Sequence, residues 1–319
     1  MERSKKRNKI NRNKLKAIFL GIAILVALLL HFFPSLRAKL SEYFPFIEPP
    51  RQETTVTGDL DVHFINVGQG DAALILTPEG NAMLIDTGES SEKEYLIEYI
   101  KSIGITTLDY LVLTHPHSDH IGGAAAVLDA FVIENVLMPD VTHDSKTFLT
   151  VEEKIDQEGC GITVPKVKET FKLGTAVITC LGPTENYAEE DNENALNDMS
   201  LVLRLDYGST SFLFTGDAEA RSEEDMLSAL SPSVFRADVL KLGHHGSSTS
   251  TTETFLSAVS PSFTIACCGE NNEYGHPHRE VVSLLETKSI TLLRTDQDGT
   301  IVFSSDGSKV MLLKPTTHS

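Results

Sequence analysis

Residues His115-Pro-His117-Ser-Asp119-His120 put three imidazoles and a carboxylate within six positions. Groups of that kind crowd together cheaply only when a cation sits among them, and neutral imidazole and carboxylate are the ligands that divalent metals such as zinc and manganese prefer. The spacing argues for two ions rather than one. His115 and His117 lie two apart on what reads as extended backbone, so both side chains can point the same way. Asp119 and His120, at the turn into a helix, can face a neighbouring position. A histidine-rich surface loop is the bland alternative, and 11 histidines in 319 residues make an ordered His-x-His-x-Asp-His string a rare accident.

The surrounding pattern supplies elements to hold that loop. Tyr110–Leu113 is an apolar strand running directly into it, and Ile121–Phe131 reads as the helix that follows. Upstream, Val62–Val67, Ala72–Leu76 and Ala82–Ile85 read as strands, joined by the turn formers Gly68-Gln-Gly-Asp71 and Pro78-Glu-Gly-Asn81. A helix carrying Tyr95, Leu96, Tyr99, Ile100 and Ile103 begins after Ser90 or Ser91 and stops at Gly104. Downstream, residues 135–138, 176–180, 201–205, 211–215, 239–242, 263–268, 291–293, 300–303 and 309–313 read as strands. Residues 148–157, 218–230, 252–259 and 279–288 read as helices. Glu185–Asp198 is acidic and Asn-rich, the composition of a solvated loop or flap. Two strand-rich halves with helices following strands imply an α/β sandwich of two packed sheets with outer helices.

The N-terminus is of another kind. Residues 1–16 carry eight Lys/Arg against one Glu, and 17–33 are apolar apart from Gly21 and His31. At 1.5 Å per residue such a run approaches the short limit for crossing a bilayer. The segment His31-Phe-Phe-Pro-Ser-Leu-Arg37 offers a poor signal-peptidase site, so an uncleaved anchor is favoured. The expected layout is a basic cytoplasmic tail (1–16), a transmembrane signal anchor (17–33), a Pro-containing stalk (34–58) and a catalytic domain (59–319). That makes a single-pass protein of the cell membrane with the domain outside the cytoplasm. Removing the +7 of residues 1–16 from the net charge of −18 leaves −25 on the remainder, which repels polyanions at long range and counts against tight sequence-independent nucleic-acid binding. It leaves room for a phosphodiester held in a local cleft. Of the four cysteines, Cys267 and Cys268 adjoin in a strand and point to opposite faces of a sheet. Cys160 and Cys180 could bridge, and none has metal-type Cys-x-x-Cys spacing.

The His115–His120 string resembles the signature of the metallo-β-lactamase superfamily, which implies a four-layer αββα sandwich and two divalent ions, zinc or manganese. In that family the residue matching Asp86, which ends the strand Met83-Leu-Ile, orients the metal-binding histidines; a turn cap is its structural alternative. The residue matching Asp217, after Phe212-Leu-Phe-Thr-Gly, bridges the two ions, although it could also cap a helix. One ligand is expected after Val239-Leu-Lys-Leu-Gly. His244 is the first choice and His245 the alternative, because adjacent residues leaving a strand diverge. Ser247 and Ser248 read as caps of the next helix.

The wording of several segments narrows the resemblance. Val62-His-Phe-Ile-Asn-Val-Gly-Gln-Gly-Asp-Ala, Asn197-Asp-Met-Ser, Thr215-Gly-Asp, Lys241-Leu-Gly-His-His-Gly-Ser, Tyr274-Gly-His-Pro and Arg294-Thr-Asp-Gln-Asp-Gly are similar to the C-terminal domain of ComEC-type competence proteins, the DNA-uptake channels of transformable bacteria. Those proteins carry many membrane spans where this chain shows one candidate, so what transfers is the hydrolase domain and not a channel. At Asn197, where the wider superfamily places a third histidine on the first ion, this chain offers a neutral oxygen beside His115, His117 and Asp217. His143 is a lone loop histidine that could be recruited instead. The resemblance to nucleases of the superfamily gives His276 a role at the scissile phosphate or leaving group, with His278 a weaker candidate. Gln69 and Asp71 either line the cleft mouth or shape a strand turn.

Two such ions would lower the pKa of a shared water toward 7 and supply hydroxide, which Asp119 would hold and orient while His276 assists the departing oxygen. No Ser-His-Asp or Cys-His arrangement competes, and there is no Walker A loop. The chain therefore reads as a membrane-anchored, extracytoplasmic metal-dependent hydrolase of phosphodiesters, DNA foremost. A cell-wall phosphodiester of the teichoic-acid kind is the rival substrate. A β-lactamase is disfavoured by the missing third histidine. From another class, a non-catalytic surface adaptor would keep the metals only for folding. No obligate protein partner is implied.

Overall fold

The computed structural model describes residues 58–188 and 193–316. The basic tail, the apolar run 17–33 and the stalk up to residue 57 lie outside the described residues. Among the described ones no helix is long and apolar enough to cross a membrane.

In chain order the strands are β1 (Leu60–Phe64), β2 (Ala73–Leu76), β3 (Ala82–Ile85), β4 (Thr107–Leu108), β5 (Tyr110–Val112), β6 (Val132–Ile133), β7 (Val136–Leu137), β8 (Ile162–Thr163) and β9 (Thr170–Leu173). There follow β10 (Ala176–Gly182), β11 (Val202–Tyr207), β12 (Thr210–Phe214), β13 (Val239–Lys241), β14 (Phe263–Ala266), β15 (Thr291–Arg294), β16 (Thr300–Ser305) and β17 (Val310–Thr316). One sheet runs β17-β16-β1-β2-β3-β5-β7-β8 and the other β15-β14-β13-β12-β11-β10-β9, with β4 and β6 paired apart.

Alternation along the strands makes the layers. Met83 and Ile85 of β3, like Phe212 and Phe214 of β12, face a common core between the two sheets, where they meet Phe64, Leu203, Val239 and Phe303. Leu84 points the other way, into a cluster with helix residues Leu96, Val127, Phe148 and Ile155. Leu213 and Leu240 likewise face out, against Met226, Phe255 and Leu285. Strands buried on both faces read as unbroken apolar runs, and three stacked cores require four layers. The αββα sandwich is therefore present. Cys267 lies in the central core and Cys268 in the outer one, opposite faces as their adjacency predicts, while Cys160 and Cys180 are free thiols and not a bridge.

Three local expectations need correction. The helix expected over Ile121–Phe131 is two, Ser118–Ile121 and Ala124–Ala130, separated by Gly122 and Gly123. At this point the chain presses on the loop after β3, and a Cβ on Gly122 would collide with the Ser118 carbonyl and the Ser90 nitrogen. The end of the acidic Glu185–Asp198 stretch is a helix, Glu193–Asp198, whose residues Ala195 and Asn197 are buried. The helix Glu253–Val259 is capped by Thr252, whose hydroxyl accepts from the Phe255 N–H at 3.2 Å, and not by Ser247 or Ser248.

Gly122→Ala is expected to destabilise the domain by about 1–3 kcal/mol through this overpacking, read as a lower midpoint in urea unfolding. An unchanged midpoint would show that the two loops do not press on each other.

Candidate metal centre

The parallel strands deliver the site. β3 and β5 run parallel, as do β12, β13 and β14. Asp86, His115, Asp217, the His244-His245 pair and His276 all follow the carboxyl ends of these strands, so one end of the sandwich collects them. The loop between β1 and β2 adds Asp71, whose N–H donates to the Asp119 carbonyl at 3.1 Å. Gly70, at φ 137°, allows that contact, since a Cβ there would strike the same carbonyl.

Around Asp217 the polar atoms fall into two groups. On one side, His120 Nε2 is 3.2 Å from Asp217 Oδ1, His245 Nε2 is 3.5 Å from Oδ2, and Asp119 Oδ2 is 3.0 Å from His245 Nε2 and 3.9 Å from His120 Nε2. On the other, His115 Nε2 is 3.9 Å from Asp217 Oδ2 and 3.1 Å from His117 Nδ1. Ligands 2.0–2.2 Å from a tetrahedral ion lie about 3.4 Å from one another, so both groups have the spacing of a coordination sphere. His120 Nε2 and Asp217 Oδ1 are buried yet misaligned for a hydrogen bond, an arrangement that suits a shared cation. The protein groups therefore fit the two divalent ions that the motif implies.

The other ring nitrogens fix these orientations. Asp86, buried and in the left-handed region at φ 58°, accepts from the Thr114 N–H at 2.8 Å and the Thr114 hydroxyl at 2.7 Å, and lies 2.9 Å from His120 Nδ1. Three bonds to one carboxylate hold a strained backbone and point His120 Nε2 at Asp217. His245 Nδ1 lies 2.9 Å from the Cys267 carbonyl. His115 Nδ1 is 3.2 Å from the Thr114 hydroxyl and 3.3 Å from Ser200 Oγ, which also accepts the Asp217 N–H at 2.9 Å.

Asp71, His120, Asp217 and His245 each offer an atom within 4.8 Å of the others, a grouping that could also suit one cation. The ring directions favour Asp119 over Asp71. Asp71 faces His245 on its Nδ1 side, at 3.1 Å, and is paired with the buried Lys241 ammonium. Lys241 also donates to the Gly216 carbonyl at 2.8 Å and stands 3.6 Å from Asp217 Oδ1.

The sequence reading did not single out Lys241, although a lysine in the apolar run Val239-Leu-Lys-Leu was the signal, because lysine is almost never fully buried without a partner. Ser200, Thr114 and Glu219 were also missed, and they are supports rather than motif residues. His244 is a quarter exposed, with Nε2 3.7 Å from Asp217 Oδ2 and Nδ1 3.1 Å from Glu219 Oε1. The expectation that adjacent histidines diverge fails because His244 (φ 48°) and His245 (φ 55°) leave the strand in a tight left-handed turn and not as extended chain, so both reach Asp217. Asn197 is buried, and its amide donates to Glu219 at 3.2 Å. His143 stays outside the cluster, its ring 6.5 Å from that of His117. His276 is buried beside the cluster, ring centroids 5.4 Å from His244 and 5.9 Å from His245. His278 is engaged with Ser248 and the Tyr274 carbonyl, and Gln69 accepts the Gly269 N–H, both tying loops together.

Electrostatics follow from burial of opposite charges. Burial alone would raise Asp217, but His120, His245 and Lys241 outweigh it and hold that carboxyl well below its usual range. Burial would lower His245, but Asp217 and Asp71 push it up to about 10. His120 is raised for the same reason, by Asp217 and then Asp86. His115 is lowered by burial and by the charge of His120.

Residues 65–188 match the Metallo-beta-lactamase superfamily, and with the sandwich they define a metallo-β-lactamase domain of the metal-dependent hydrolase fold. Within that class the chain is related to competence proteins. It is 34% identical over 260 residues to ComE operon protein 3 of Bacillus subtilis (strain 168), covering 76% of this chain and 33% of that protein. It is 31% identical over 249 residues to Recombination protein 2 of Haemophilus influenzae, covering 75% of this chain and 28% of that protein. The chain thus spans about a third of the length of these curated relatives. CmlA, a diiron beta-hydroxylase from Streptomyces venezuelae, superposes with a TM-score of 0.50 at 14% identity over 83% of this chain and 55% of that one, a likeness of fold alone.

Two outcomes follow. Lys241→Met strands the Asp71 carboxylate and is expected to cost about 3–5 kcal/mol, measured by chemical unfolding. Adding Asp71→Asn should recover part of that loss, and strict additivity of the two substitutions would refute the pairing. After chelation, His245 contributes stability that is fully present below its ordinary value of 6.5 and is lost as pH rises through about 10. The chelated chain should therefore lose thermal stability between pH 7 and 10, and reloading at pH 7 should release protons in calorimetry with buffers of different ionisation heat. Stability that climbs over that interval would contradict the assignment.

Proposed function

We propose that this chain hydrolyses phosphodiesters, DNA in particular, as an extracytoplasmic enzyme tethered to the cell membrane by residues 17–33. The observation that carries the reading is the double array of imidazole and carboxylate about Asp217 with a further buried histidine, His276, packed beside it. The relation to competence proteins supports DNA, and the basic run before the apolar segment supports the tether.

His115 and His117 on one side, and Asp119, His120 and His245 on the other, would hold two divalent ions with Asp217 between them. Ions so placed supply an activated water and draw charge from a phosphoryl oxygen. The residues do the remaining work. Asp119, with a side chain a quarter exposed, is the carboxylate that opens to solvent and can orient a water. His276 is lowered to about 4 by burial, then by His245 and His244, so at neutral pH its ring serves the substrate as a neutral hydrogen-bonding group. A bound phosphodiester's negative charge would raise that value and favour the imidazolium, which can give its proton to the departing oxygen and return to neutral imidazole. Its Nδ1 is buried without a partner.

Tyr274 favours a nucleic acid over a wall polymer. It is 67% exposed and lies parallel to the His276 ring, with centroids 5.6 Å apart and planes at 19°. An open aromatic face beside a phosphate site can stack a base, an interaction that a polyol phosphate cannot return.

The test incubates the purified chain, loaded with manganese or zinc, with single-stranded DNA, duplex DNA and poly(glycerol phosphate). Cleavage of DNA that stops on chelation is expected. His276→Ala should lower kcat by about 10²-fold or more without altering bound metal. Turnover of the glycerol polymer alone would move the substrate to the cell wall. A fully loaded chain that cleaves none of the three would sink the hydrolase reading in favour of an adaptor.

A further inference from the structure

His244 is the histidine that the motif reading leaves without a partner position once His245 is placed beside Asp119 and His120. Its geometry is constrained at both nitrogens. Glu219 Oε1 lies 3.1 Å from His244 Nδ1 and also accepts from Asn197 Nδ2 at 3.2 Å and from the Thr249 hydroxyl at 2.9 Å. The Glu219 N–H is itself fixed on Asp198 Oδ1 at 3.0 Å. A carboxylate anchored in this way accepts the hydrogen bond of Nδ1–H, which puts the lone pair on Nε2, pointing away from it. That lone pair stands 3.7 Å from Asp217 Oδ2, too far for a hydrogen bond. The separation is instead that of two ligands on one ion, as for His115 Nε2 at 3.9 Å from the same oxygen.

We infer that His244, oriented by Glu219, completes the first metal position with His115, His117 and Asp217, in place of the absent third histidine. His245 serves the second position, so the two adjacent histidines divide between the two ions. The left-handed turn is what allows this, since it aims consecutive side chains at one carboxylate rather than at opposite faces. Asn197, standing at the place of the expected histidine, is tied to the same carboxylate: its Nδ2 donates to Oε1, while its Oδ1 is buried without a hydrogen-bond partner. The inference rests on the reading of the cluster as a two-ion centre, and it assigns that centre's weakest side to a residue that is a quarter exposed.

The experiment measures bound manganese or zinc per chain by mass spectrometry after equilibrium dialysis, and affinity by competition with a chromophoric chelator. The full chain is compared with His244→Ala, Glu219→Gln and His245→Ala, each checked for folding by circular dichroism. The unsubstituted chain should hold two ions. His244→Ala should hold one, and Glu219→Gln should keep two but bind the weaker ion about 10–100-fold less tightly. His245→Ala should lose the other ion, so that the ion left in His244→Ala and the ion left in His245→Ala differ in affinity. Two ions of unaltered affinity in His244→Ala would overturn the inference while leaving the two-ion centre standing. Fewer than two ions in the unsubstituted chain would overturn both.

Discussion

A single buried carboxylate, Asp217, organises this molecule. Only 1% of it is exposed, and four imidazoles and one ammonium approach its two oxygens from different directions. An isolated charge in that position would be prohibitively costly, so every neighbour has to supply positive charge or a cation. Lys241 meets part of that need from within the protein. His120 and His245, both raised by Asp217, share the rest, and a cation held among the imidazoles would take over that part. The supports then follow as consequences. Thr114 and Asp86 aim His120, Ser200 fixes the Asp217 backbone beside His115, and the Cys267 carbonyl aims His245.

The sandwich matters because neither half contains the site. His115, His117, Asp119 and His120 leave the first sheet, while Asp217, His244 and His245 leave the second, and the common core of Phe64, Phe212, Phe214 and Phe303 sets the distance between them. Packing energy distributed over that core thus fixes atom separations of 3–4 Å at its edge. Any ion held there links the two sheets and stabilises the folded chain by mass action.

What could be read from the chain was whatever is encoded locally. The His115–His120 string and the strand-ending Asp86 and Asp217 declare themselves by type and spacing, and strands buried on both faces declare themselves by unbroken apolar runs. The split of His244 and His245 between two positions was not legible, because it depends on two consecutive left-handed residues, a conformation uncommon enough outside glycine that spacing alone does not foretell it. Glu219 and Ser200 were invisible for a different reason: their partners lie across the fold, and an isolated Glu or Ser carries no mark of that. Lys241 could have been found, since a charge inside a buried strand demands an acid beside it.

The account stands on two cations flanking Asp217, and anomalous diffraction from manganese-loaded crystals of the chain addresses it most directly. Two peaks about 3.5–4 Å apart are predicted, one within ligand distance of His115 and His117 and the other of Asp119, His120 and His245, both touching the Asp217 carboxylate. A single peak, or peaks that leave Asp217 uncoordinated, would contradict it.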